Sequence, residues 1–310
     1  MHGVREMLVR MAIRIGISGW RYARWRGTFY PVGLARRREL EYAAGCFPSV
    51  EINGSFYSLQ RPDSFQRWHD ETPEDFVFSV KGPRFITHMK RLRDCEQALA
   101  NFFASGILRL GAKMGPILWQ LPPTLRFDAA LLDAFLGSLP RDSEAALARA
   151  RQRDTALMQG RSALAIDRQR PIRHALEVRH DSFCDPACMR LLRRHNVAVV
   201  VADTAGKFPY LEDISADFVY VRLHGDAQLY ASGYSDTALD RWAARIAAWA
   251  DGAEPHDAAR VGARARKRAM RDVYCFDNDM KVHAPFDARG LMQRLQLPTD
   301  CPARENIENR

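Results

Sequence analysis

The chain has 310 residues, 47% of them hydrophobic and 27% charged, with 19 glycines and 16 prolines. This composition excludes collagen-like, largely disordered and disulfide-scaffold chains, and no apolar run approaches the ~18 residues of a membrane-spanning helix. The 46 Lys and Arg against 37 Asp and Glu give a formal charge of +9, which attracts polyanions, but the basic residues are scattered as on a solvated arginine-rich surface.

Residues 1–10 alternate charge and apolarity and lack the apolar core of a secretory signal, so they read as an N-terminal extension. Eight strand-length runs follow, rich in β-branched and aromatic residues: Ile13–Gly19, Ser49–Asn53, Phe76–Lys81, Pro116–Leu121, Ile172–Val178, Val197–Asp203, Asp217–His224 and Asp272–Asn278. Amphipathic helical stretches lie between most of them: Leu34–Gly45, Pro62–Glu71, Asp94–Ser105, Ala129–Leu136, Pro186–His195 and Asp236–Trp249, with Ala288–Leu295 after the last. Strand and helix alternating in this way predict an α/β fold, a (β/α)8 TIM-type barrel over 11–300 with a flexible tail at 301–310. A doubly wound open sheet is the alternative, but no Gly-x-Gly-x-x-Gly follows the first strand.

Two long connections each precede a strand and are therefore expected at the bottom of the barrel. Arg141–Arg170 is basic, with an Ala-rich stretch from Ser143 to Met158 that reads as helix. Gly252–Arg271 holds five Arg and one Lys between Arg260 and Arg271 and reads as a mobile, solvated segment. The six cysteines form no zinc-binding pairs of Cys-x-x-Cys type; reduced thiols in a cytoplasmic protein are expected.

The period of two along a strand then sorts side chains, because residues facing the helices must be apolar. It directs Glu51, Asn53, Lys81, Gln120, Glu177, Arg179, Arg222 and His224 inward, at the C-terminal ends where barrel active sites lie. Asp203 shares parity with Val199 and Val201, read as an inward column, and Asn278 shares parity with Tyr274 and Phe276. This pocket carries three acids (Glu51, Glu177, Asp203) and three bases (Lys81, Arg179, Arg222) beside His224. The cations would compete with a metal and suit an anionic ligand.

The residues Ile15-Gly-Ile-Ser-Gly-Trp20, Tyr22, Trp25, Phe29-Tyr-Pro31, Val50-Glu-Ile-Asn53 and Phe56-Tyr57 resemble the opening of the YecE-like domain-of-unknown-function family. The resemblance continues through Phe78-Ser-Val-Lys81, Thr87-His88, Gln120-Leu-Pro-Pro123, Glu177-Val-Arg179-His180, Tyr220-Val-Arg222-Leu-His224-Gly225 and Tyr234-Ser235 to Phe276 with Asn278-Asp279. Phe183 and Asp277 depart from the family's usual Trp and Asn. The resemblance implies a TIM-type barrel, supports the inward set and adds His88 to it, but implies no reaction.

Three functional expectations result. In the first, an enzyme holds a phosphate-bearing small molecule or nucleic acid at Lys81, Arg179 and Arg222. Glu51 or Glu177 with His224 supplies acid–base chemistry, while Trp20, Tyr57 and Tyr234 stack on a ring. The reaction class is hydrolase, isomerase or lyase, with no cofactor. In the second, Glu51, Glu177, Asp203 and His224 hold a divalent metal in a hydrolase or isomerase. In the third, the arginine-rich bottom segments make a non-catalytic nucleic-acid-binding protein. No membrane association is expected, and the oligomeric state is not legible.

Overall fold

The computed structural model describes residues 12–225, 233–277 and 282–302. Eight parallel strands close into a barrel in chain order: β1 (Ile13–Ser18), β2 (Ser49–Ile52), β3 (Val77–Lys81), β4 (Met114–Gln120), β5 (His174–Glu177), β6 (Val197–Asp203), β7 (Phe218–Leu223) and β8 (Asp272–Asp277). The α-helices are α1 (Glu39–Cys46), α2 (Gly54–Tyr57), α3 (Pro62–Asp70), α4 (Glu96–Ala104), α5 (Ala129–Ser138), α6 (Ser143–Arg151), α7 (Pro186–Arg194), α8 (Asp236–Ala250) and α9 (His283–Arg294). The open-sheet alternative is thereby excluded. No helix among the described residues is long and apolar enough to cross a membrane.

Local chemistry sets the helix starts. Asp128, Asp142, Asp185 and Ser235 each accept a backbone N–H in the first turn of α5, α6, α7 and α8, and Pro186 opens α7 where its missing N–H costs nothing. Two cores result. Val50, Ile52, Phe78, Val80, Trp119, Leu176, Val199, Val201 and Val221 point outward and pack under the helices. Leu118, Ala175, Ala198, Val200, Ala202, Phe218, Tyr220, Tyr274 and Phe276 fill the barrel. Gly16 lets β1 lie against β2, since a Cβ there would sit 2.1 Å from the Ser49 carbonyl oxygen.

Both long connections lie at the N-terminal ends of the strands, but neither has the expected character throughout. In the first, helix ends at Arg151 rather than continuing to Met158. Asp154 breaks it by turning its carboxylate onto the Leu157 N–H, while its own N–H donates to Asn101 on α4 at 2.9 Å. The second is solvated along much of its arginine run, as expected, but its backbone is pinned rather than mobile. Asp213 accepts from the Val261 and Gly262 N–H groups at 2.9 and 2.8 Å, Glu212 from Ala259 at 2.8 Å and Glu254 from Ala265 at 2.9 Å. Three acids outside the arginine run thus fasten its backbone.

The cysteines also depart from expectation. Cys46, at the end of α1, is bonded to Cys301, with 4.3 Å between their Cα atoms and a sequence separation of 255. Pro302 packs against Gly45, so the tail is anchored at its start. Residues 303–310 lie outside the described region. Denatured, unreduced protein should therefore titrate four thiols with Ellman's reagent (Cys95, Cys184, Cys188 and Cys275), and reduced protein six. Six without reductant would show the bond absent.

Candidate functional site at the C-terminal barrel face

The barrel interior changes from apolar to charged within one residue layer. Above Leu118, Ala175 and Tyr220 stand Gln120, Glu177 and Arg222, and β2 contributes Glu51. Arg222 is fully buried and forks onto Glu51: Nη2 donates to Oε1 at 2.8 Å and Nε to Oε2 at 3.1 Å. Its Nη1 donates to Glu177 Oε2 at 2.6 Å and to His224 Nε2 at 3.2 Å. Glu177 also receives Arg179 Nε at 2.7 Å and Gln120 Nε2 at 2.9 and 3.0 Å. Glu51 also receives the Ser18 hydroxyl and the Tyr220 hydroxyl, the latter at 2.7 Å.

A carboxylate offers about four acceptor positions, and both are filled to that number by protein donors. Burial alone would raise the Glu177 carboxyl, but the guanidiniums of Arg179 and Arg222 hold it well below the usual range. Burial, reinforced by Arg222, pushes His224 well below the ordinary imidazole value. Its Nε2 accepts from Arg222, which assigns the ring proton of a neutral imidazole to Nδ1. The expected acid–base pairing of Glu51 or Glu177 with His224 therefore meets two carboxylates already committed to cations and hydroxyls. Arg222, expected to grip an anion, has Nε and both Nη atoms engaged.

Lys81 differs. At the end of β3 it is 8% exposed, and its ammonium lies 4.0 Å from the centroid of the Phe56 ring. Among the described residues no carboxylate stands within ion-pair distance of it. Burial first, then Arg222, lowers it to about 7. His88 packs edge-on to Phe56 at 5.1 Å between ring centroids, and burial followed by the charges of Arg179 and Lys81 lowers it to about 4. Arg179 lies over the Phe208 ring at 4.6 Å. Lys81, His88 and Arg179 thus form a second tier above the Glu51–Arg222–Glu177 floor.

Beside this tier, at the ends of β1 and β2, Trp20, Tyr22, Asn53, Gln60 and Trp68 line a recess of about 260 Å³. Asn53 Nδ2 donates to Ser18 at 3.0 Å, so the recess and the floor share one hydroxyl. Tyr57 is 72% exposed, edge-on to Phe56.

Two expected residues are elsewhere. Asp203 is outward. In β6 the inward column is Ala198, Val200 and Ala202, and Asp203 follows Val199 and Val201 to the helix side. There it accepts the Ala205 N–H and stands by Tyr234. Tyr234 is buried rather than open for stacking. Its hydroxyl accepts the Gly225 N–H at 3.2 Å, and burial with the nearby Asp203 and Asp277 carboxylates raises its phenol far above the ordinary value. Asn278 lies outside the described residues.

The four-ligand metal set does not assemble. Asp203 faces away, and the Arg222 guanidinium fills the gap between Glu51 and Glu177 where a dication would sit. Among the described residues no group of three His, Cys, Asp or Glu stands at metal-binding spacing. Three contributors carry no role in the sequence reading. Ser18 has inward parity and pairs in register with Glu51, Tyr220 shares the parity of Arg222, and Phe56 stands only within a motif.

These features define a closed parallel barrel with a buried two-carboxylate, one-guanidinium floor, and the chain belongs to the family described as protein of unknown function DUF72, whose profile matches residues 14–308. Among curated relatives, it is 34% identical to the UPF0759 protein YecE of Escherichia coli K12 over 131 residues, 41% of this chain and 44% of that one. It is 30% identical to the UPF0759 protein YunF of Bacillus subtilis over 116 residues, 36% and 40% of the two chains. The matched segments thus span under half of either relative. Among solved structures, a DUF72 protein of Thermotoga maritima superposes with a TM-score of 0.65 at 23% identity, covering 92% of this chain and 99% of that one. One from Enterococcus faecalis gives 0.64 at 14%, covering 94% and 99%. Likeness at these identities speaks to the fold alone.

Proposed function

We propose that this protein is an enzyme that takes a phosphate-bearing small molecule at the C-terminal barrel face, with Lys81 and Arg179 meeting the anion. The observation carrying this reading is Lys81, a buried ammonium with an aromatic ring beside it and no carboxylate partner among the described residues. With Asp203 turned away, the described inward charges are two acids, Glu51 and Glu177, against three cations, Lys81, Arg179 and Arg222. A ligand anion supplies the missing charge. The Trp20–Asn53 recess is sized for a ring carried by the same molecule. Glu51 and Glu177 fix Arg222 and Arg179 in place. Proton transfer falls to Lys81, titrating near neutrality, and to the neutral His224. A cytoplasmic setting belongs to this reading and is supported by four unpaired cysteines, against which the one disulfide stands.

The test is calorimetric titration with sugar phosphates and nucleoside monophosphates. Binding that disappears in Lys81→Met supports the reading. Affinity unchanged by that substitution, or no binding by any phosphate ester, overturns it. Binding of nucleic acid alone, lost on deleting 152–170, would favour the nucleic-acid-binding protein instead.

A proton signature accompanies binding. In the free protein Lys81 titrates at about 7, so at pH 8 most of it is neutral. An anion beside it favours the charged form and raises that value, so binding at pH 8 should take up close to one proton. Heats measured in buffers of different ionisation enthalpy should differ accordingly at pH 8, where the phosphate ester is already fully ionised and Lys81 alone takes up the proton. Buffer-independent heats at pH 8 would place the anion away from Lys81.

A further inference from the structure

At the opposite end of the barrel, the chain entering β6, β7 and β8 surrounds a second cavity of about 310 Å³. Arg193, Arg264, Arg266, Arg268 and Arg271 line it, with Asn196 at its edge. Two of these guanidiniums are spoken for. Arg193 Nε donates to the Ile214 carbonyl at 3.2 Å and its Nη2 lies 3.7 Å from Asp213, and Arg264 lies 3.4 Å from Glu254. Arg266, Arg268 and Arg271 have no carboxylate within ion-pair distance among the described residues. Arg271 is only 2% exposed. Its Nη atoms donate to the Ala253 and Arg266 carbonyls at 3.3 and 2.7 Å, but its Nε is buried with no partner.

A buried guanidinium with an unmade hydrogen bond, next to two unpaired cations, is costly in isolation. An anion entering this cavity supplies the countercharge that these side chains lack. Three arginines without carboxylate partners among the described residues, lining one space, suit a tetrahedral, multiply charged oxyanion better than a single carboxylate. The segment that brings them there is held by Asp213, Glu212 and Glu254, so the arrangement exists before any ligand arrives. We propose that this cavity at the N-terminal end of the barrel is a second phosphate site, taking the phosphoryl groups of a ligand separate from the one at the opposite face. The phosphoryl groups belong either to a small phosphorylated molecule or to the 5′ end of a nucleic-acid strand.

The experiment uses Lys81→Met protein, so that the result does not depend on the other face, and inorganic pyrophosphate as the probe. One equivalent should bind by calorimetry, and adding Arg266→Gln with Arg268→Gln should weaken it by at least about tenfold with the unfolding midpoint unchanged. Both arginines are exposed and their side chains hold no ion pair in the described structure, so the fold should persist; Arg268→Gln alone serves if the combination unfolds. No binding in Lys81→Met protein, or affinity unmoved by losing the two arginines, overturns the proposal. Displacement of pyrophosphate by a 5′-phosphorylated oligonucleotide, but not by its unphosphorylated twin, supports the site with a strand end as ligand. Displacement by neither supports it with a small molecule as ligand.

Discussion

Lys81→Met is expected to stabilise the ligand-free protein while abolishing ligand binding at the C-terminal face. The native state lowers this lysine from 10.5 to about 7, so between those values the unfolded chain binds more protons than the folded one. Stability due to this group therefore rises as pH climbs from 7 to 10.5, and the full cost of the buried cation is present below 7. A shift of this size corresponds to an upper bound of roughly 4–5 kcal/mol, and relaxation around Phe56 should leave a measured gain on the order of 2 kcal/mol at pH 6. Urea unfolding of both proteins at pH 6 and pH 10 gives the answer. The two should differ at pH 6 and approach one another at pH 10. A less stable variant at pH 6 would show that Lys81 is a satisfied structural cation, and the functional reading would lose its support.

Arg222→Met should have the opposite and larger effect. Arg222 is the cation shared by Glu51 and Glu177, both fully buried, so its loss leaves two carboxylates in a site that has lost its central charge. Breaking a buried pair in this way costs about 3–5 kcal/mol, and here one guanidinium serves two partners. The pH dependence should also invert. In the wild type Glu177 is held low, so its contribution is present above about 4.5 and is lost as pH falls. In Arg222→Met the Glu177 carboxyl loses one of the two guanidiniums that hold it low and is driven upward by its burial, and the variant should gain stability on acidification. Adding Glu51→Gln and Glu177→Gln should recover part of the loss, because the charges that made Arg222 necessary are gone. A loss under about 1 kcal/mol for Arg222→Met alone would mean that solvent, not protein, neutralises the floor.

The strand pattern was legible wherever one parity carried polar side chains. Glu51, Lys81, Gln120, Glu177 and Arg222 each marked the inner face of their strand, and the barrel placed all of them there. β6 offered no such mark. Val-Ala-Val-Val-Val-Ala is apolar on both faces, and its one acid stands at the end. Side-chain volume decides the orientation: the inner face, beside the bulk of Tyr220, takes Ala198, Val200 and Ala202, while Val197, Val199 and Val201 pack under helices. A polar terminal residue was a weaker guide than size. Ser18 escaped notice because a small hydroxyl after Gly16 gives no pattern, and its role appears only once β1 is set in register with β2. The ordered basic connection was hidden for a related reason. Its anchors, Glu212 and Asp213, precede β7, 47 to 49 residues away from the backbone they hold.

The Cys46–Cys301 bond makes the chain between them a covalent ring. The first strand meets the last at one seam, where β1 pairs with β8 and α9 packs on both, and the bond fastens the flanking segments across it. A protease that cuts an exposed stretch such as 152–170 opens the ring without releasing either half. The nicked protein should run as one species until reductant is added, then as two. In the folded barrel the halves would stay apposed, so one cut converts the ring into a permuted chain with new ends at the bottom of the barrel. A gene that begins after that cut and joins the present ends should specify the same barrel.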